Sequence, residues 1–193
     1  DIDVAMVSNT GRLEKEWYSV MKKFNHRWCS WNDGHKVESW HEKQRILMRS
    51  KIEIVWTVHP RVDFRGVEEY IKSNLPWLSP CHIDGQVPQA KPRPFEAASA
   101  KCLMLCYKSP FAKNKWPYHN PIEEYFVENE DFIYFEDSRD LEEKISEIST
   151  NIEDEKYQKI INSAYSKLTT DHDIVTWYEN NIVPIAEKER NNE

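Results

Sequence analysis

PQAKPRPFEAASAKCLMLC, residues 88–106, runs from a basic loop through a short helix into an apolar strand. Pro92 and Pro94 fix their own φ and keep the loop extended, so Lys91 and Arg93 have little conformational freedom left to lose. Phe95 to Ala100 reads as a helix and Leu103 to Cys106 as a strand. Glu96 falls in the first turn of that helix, where the macrodipole favours a carboxylate. The same group has two acceptor oxygens and can clasp two vicinal hydroxyls, as on a ribose. Ala97, Ala98, Ser99 and Ala100 are small enough for close approach, either to a sheet or to a ligand.

Outward from this stretch the pattern repeats. Asp1 to Val7 reads as a buried strand, Ser8-Asn9-Thr10-Gly11 as a polar turn, and Arg12 to Phe24 as a helix with Leu13, Trp17, Val20, Met21 and Phe24 on one side. Residues 26–31 read as a second strand. Ser39 with Glu42 forms a capping-box signature for a helix running to about Arg49. Lys51 to Val58 is β-rich, 64–73 helical in pattern, and 75–94 proline-rich and loop-like. Pro121 to Val127 reads as a helix, Phe132 to Phe135 as a strand, and Ser138 as the cap of a helix over 139–149. Helices over about 153–168 and 172–189 complete the pattern. Strands alternating with helices predict an α/β domain: a Rossmann-like parallel sheet flanked by helices over residues 1–186, followed by a charged, frayed tail at 187–193.

The chain has 193 residues, 39% of them hydrophobic, which is enough for a real core. Its net charge of −7 disfavours nucleic acid as a partner but leaves room for a local basic site for a phosphorylated small molecule. Cys29, Cys81, Cys102 and Cys106 are too scattered for a disulfide framework, and Cys102-x3-Cys106 is a poor zinc spacing, so no metal is expected. No run approaches the roughly 18 apolar residues of a membrane span, and no signal peptide is visible. The reading is therefore of a cytoplasmic chain with no transmembrane segment.

In an open parallel sheet, ligands bind beyond the carboxyl ends of the strands. Three loops fall there. In Ser8 to Lys15, Ser8, Asn9 and Thr10 lead to a helix start carrying Arg12 and Lys15, a place that suits phosphate and equally suits a solvated helix end. His59 follows the strand 51–58 and can touch a ligand or simply serve the structure. The third loop is the opening stretch. Neither GxGxxG nor GxxxxGK[ST] is present.

PFEAASAKCLMLC, NPIEEYFVENEDFIYF and DLEEKISEI together resemble the donor-binding C-terminal half of GT-B glycosyltransferases, in the group with an R-x-FEAA-type motif. The similarity covers most of the chain and is specific over 88–150. It implies a sugar transferred from a nucleoside diphosphate to an acceptor, with the nucleotide-sugar as substrate and no cofactor. By that resemblance Glu96 takes the ribose, Arg12 and Lys15 face the diphosphate, Arg93 and Lys91 support the same charge, and amides near Ala97 and Ala98 complete the cradle after Phe95. It further implies an acceptor-binding N-terminal domain as partner, and it names no catalytic residue. The alternative is a non-catalytic nucleotide-binding or interaction module of the same fold. Two positions depart from the pattern: Pro88 replaces the glutamate of retaining members, and Lys101 replaces a glycine.

Overall fold

Period-two apolar runs and period-3.6 amphipathic stretches bury their apolar sides together only if helices cover both faces of a sheet. The computed structural model describes residues 2–8, 12–29, 39–56, 58–60, 86–88, 92–108 and 121–170. Their elements are, in order, β1 (Ile2–Val7), α1 (Arg12–Met21), β2 (His26–Cys29), α2 (Trp40–Leu47), β3 (Ser50–Val55), β4 (Val58–Pro60) and β5 (Gln86–Pro88). Then follow α3 (Arg93–Ser99), β6 (Leu103–Tyr107), a 3-10 turn (Pro121–Glu124), β7 (Ile133–Phe135), α4 (Ser138–Asn151) and α5 (Glu155–Thr170).

A five-stranded sheet is ordered β2-β1-β3-β6-β7, and every neighbouring pair is parallel. The chain steps from β1 to β2, then back past β1 to β3 and onward, so the winding reverses between β1 and β3. Each helix that leads into a strand runs antiparallel to it. The first turns of α2 and α3 therefore lie level with the carboxyl ends of the strands, where ligands of doubly wound sheets bind.

The two faces are built differently. On one, Val4, Met6, Ile52, Ile54, Leu103 and Leu105 pack against Trp17, Val20 and Met21 of α1 and Leu141, Ile145 and Ile148 of α4. Each such fully buried aliphatic side chain contributes about 1.5–3 kcal/mol. Trp17 anchors this face, with ring centroids 5.3 Å from Trp56, 5.1 Å from Tyr107 and 5.4 Å from Phe135. On the other face, Ala5, Val7, Val55, Met104 and Cys106 meet Leu47 of α2, Ala97 and Ala98 of α3, Phe126 and Ala164. The alanines bring α3 close to the sheet. Asp131 is buried and ties the turn before β7 to α5, accepting from the Val127 amide at 2.7 Å, from Ser163 Oγ at 2.6 Å and from Lys167 Nζ. Among the described residues no helix is long and apolar enough to cross a membrane.

Several expected boundaries move. The strand expected over 51–58 ends at Val55, and Val58 starts β4, which pairs antiparallel with β5 inside the segment expected to be loop. The helix at 93–99 begins two residues before Phe95, because Pro92 and Pro94 have the φ a first turn needs. Only a 3-10 turn forms at 121–124 instead of a helix to Val127. Asp137, not Ser138, caps α4, accepting from the amides of Arg139 and Asp140, each at 2.9 Å. Ser39 caps α2 as expected, its Oγ accepting from the Glu42 amide at 3.1 Å. The helices expected over 64–73 and 172–189, the tail and the boundary at 186 lie outside the described residues.

The end of α3 carries a local cost. The Cys102 amide donates to Ala97 O and the Lys101 amide to Ala98 O, each at 3.1 Å, the Schellman pair that closes a helix. This closure puts Lys101 at φ 56°, the left-handed region, where a Cβ costs about 1–2 kcal/mol. Lys101 Nζ also lies 4.4 Å from the centre of the Tyr165 ring, and that contact offsets part of the cost. Lys101→Gly removes the backbone cost and Lys101→Ala keeps it, and both lose the ring contact. Chemical denaturation should find Gly more stable than Ala by about 1 kcal/mol; equal stabilities would contradict this reading.

Candidate functional site

Three side chains from the first turns of α2 and α3 converge. Glu96 on α3 accepts from Lys43 Nζ of α2 at 2.5 Å through Oε1, and from Arg93 Nη1 at 2.8 Å through Oε2. All three side chains are largely shielded, with 14% of Lys43, 27% of Arg93 and 13% of Glu96 exposed, so these ion pairs are screened far less than surface ones. Burial alone would raise the Glu96 carboxyl. Hydrogen bonds and charge from Lys43 and Arg93 outweigh it and hold the group below the ordinary glutamate value. Two cations thus share one carboxylate.

The other expected site residues are placed as follows. Phe95 is partly buried, with ring centroids 5.2 Å from Tyr125 and 5.6 Å from Phe126, and it pins α3 to the segment before β7. Ala97 and Ala98 are fully buried against the sheet. The Glu96 amide already donates to Pro92 O at 3.0 Å, so the amides that follow are turned into the helix. The phosphate cradle expected from the Ala97 and Ala98 amides is therefore corrected: only Arg93 and Phe95 carry amides ahead of Glu96 in α3, since Pro94 has none. Ser8 directly follows β1, is buried, and its Oγ accepts from Trp28 Nε1 at 2.9 Å. Lys15 is exposed on α1. Arg12 opens α1 and His59 is the middle residue of β4, with side chains outside the description. Asn9, Thr10 and Lys91 lie outside the described residues.

Lys43 of the cluster, and one buried residue near it, escaped the sequence reading. Lys43 lies one helical turn before the buried Leu47, on a side of α2 whose direction Ser39 fixes, yet only packing against α3 selects it to meet Glu96. Glu53 is the second. It sits on β3, fully buried, within the charge field of Glu96, Arg93 and Lys43. An acid inside the near-continuous apolar run IEIV was the available signal, because a central parallel strand is covered on both faces. The Cys29, Cys102 and Cys106 thiols are core groups: Cys102 Sγ donates to Leu47 O at 2.8 Å, and burial pushes the Cys29 thiol up to about 11. Among the described residues no group of histidine, cysteine and acidic side chains is placed to hold a metal ion.

Glu96 has a depressed pKa, so its ion pairs stabilise the fold above the ordinary glutamate range, and that contribution is lost as pH falls through the folded-state value. Glu96→Gln leaves two shielded cations without their charge partner. It should cost about 2–3 kcal/mol near neutral pH, with the deficit shrinking as the pH is lowered through the acid range. Urea unfolding at several pH values measures this, and a deficit independent of pH would contradict the assignment.

The sequence matches a known family, described as glycosyl transferase-like, over residues 28–182. No curated protein sequence matches it. Among solved structures, the C-terminal domain of a glycosyl transferase group 1 family protein (LpcC) from Francisella tularensis is similar. It has 14% sequence identity, covers 89% of this chain and 86% of that one, and gives a TM-score of 0.48. With the matched span running from β2 past α5, this chain belongs to the glycosyl transferase-like family.

Proposed function

We propose that the chain binds a nucleoside-diphosphate sugar and serves transfer of the sugar to an acceptor held by another domain. The observation that carries this reading is the Lys43–Glu96–Arg93 cluster at the carboxyl end of the sheet, in a member of this family. When the bond to the sugar breaks, negative charge grows on the departing diphosphate. Lys43 and Arg93, held in place before the ligand arrives, stabilise that charge without reorganising. Glu96 fixes both cations, and each of its oxygens keeps a second acceptor direction for a ribose hydroxyl. Arg12, Lys15, Lys91, Ser8, Asn9, Thr10 and His59 belong to this proposal as further donor contacts.

A second reading, a binding module without transfer, draws on Pro88. It lies in β5 opposite Val58, at the position where retaining members of the resembled group place a second glutamate. A transfer assay on the full-length protein separates the two readings.

The donor reading is tested by thermal shift with UDP, GDP, ADP and dTDP. A nucleotide at about 100 times its Kd adds about 2.7 kcal/mol, a rise of roughly 5–10 °C for a chain of this size. Lys43→Met should weaken the preferred nucleotide by about tenfold or more. If no nucleotide moves the melting temperature, the donor reading is wrong.

A further inference from the structure

Glu53 is the buried titratable group that the donor-binding scheme leaves unused. Its residue is 0% exposed, and neither Oε1 nor Oε2 has a hydrogen-bond partner. It lies on β3 with Ala5 of β1 and Met104 of β6 as cross-strand neighbours, so the sheet offers it no polar side chain. Among the described residues the charged groups that face it are Lys43 from α2 and Glu96 and Arg93 from α3, and the nearby titratable groups are the Cys29 and Cys102 thiols. Both cations are already committed to Glu96, at 2.5 and 2.8 Å.

An ionised carboxylate in such a place has neither solvent nor a donor, and burying it in that form costs far more than protonating it. A second negative charge beside Glu96 would add repulsion. We propose that Glu53 acts as a neutral carboxylic acid, a positioning residue that leaves both cations to Glu96 and so leaves the cluster with net positive charge for an anionic ligand. This rests on the donor-site reading for the identity of that anion. Within the Lys43–Glu96–Arg93 cluster of the described residues, two cations and one carboxylate leave one positive charge, which ionising Glu53 would cancel. Burial, followed by the charge of Glu96, raises the Glu53 carboxyl well above the usual range, in agreement with this count.

The test compares the wild type with Glu53→Gln, which mimics the neutral acid, and with Glu53→Leu, which keeps an apolar side chain if Gln packs poorly. Glu53 ionises in the unfolded chain but stays protonated in the folded one, so rising pH costs the wild type stability that the variants keep. The melting temperature of each ligand-free variant relative to wild type should therefore climb steadily from about pH 5 to about pH 8. The Kd for the nucleotide that binds should stay within about twofold of wild type in Glu53→Gln at neutral pH, since no charge is removed. A melting-temperature difference that does not vary with pH would overturn the proposal. So would a Kd tightened about tenfold by Glu53→Gln, which would mean that a negative charge had been deleted. If no nucleotide binds while the melting temperatures still diverge with pH, the donor-site reading fails and the neutral acid stands.

Discussion

The site depends on one carboxylate joining two helices. Lys43 and Arg93 reach Glu96 from separate elements, α2 packing through Leu47 and α3 through Ala97 and Ala98 onto the same face of the sheet. Two cations held near each other repel, and that repulsion grows as water is excluded. Glu96 offsets it, so positive charge is presented at the strand ends with its geometry already set. The same pairing explains why an acid with an exposed helix-start position available is instead largely covered.

The unequal faces of the sheet serve this arrangement. The face under α1 and α4 is filled by large side chains around Trp17, and it holds the strands in register. The face under α2 and α3 is lined by Ala5, Ala97, Ala98, Cys102 and Cys106, which keeps the helices near the strands. Closeness on that face is also what buries Glu53 beneath the ion pairs. The backbone at Lys101 is part of the same closure: the Schellman turn must fold back at once for Leu103 to enter β6 beside Ile52.

Much of this was legible in the sequence, because local chemistry decided it. Ser39 announced α2 and the alternation of strands with helices announced the parallel sheet, whereas Pro92 and Pro94, read as holding an extended loop, stand at the N-cap and in the first turn of α3. Where the reading slipped, competing local signals were close in strength. Asp137 and Ser138 are both good caps, and the carboxylate two residues before Arg139 reached the free amides first. The strand at 50–55 stops before the β-prone residues end, its last pairing with β6 being Val55 opposite Cys106. In the site, Arg93 and Glu96 were brought together by the resemblance, while their i,i+3 ion pair follows from α3 starting at Arg93. Lys43 could not be read this way, since its contact spans 53 residues and exists only after the sheet is assembled.

The most direct measurement is a crystal structure of the protein with UDP or GDP bound. The account predicts a diphosphate at the carboxyl ends of β1 and β3, with phosphate oxygens within hydrogen-bond distance of Lys43 Nζ and the Arg93 guanidinium while Glu96 still touches both. A nucleotide bound elsewhere, with Lys43, Arg93 and Glu96 remote from it and unchanged, would contradict it.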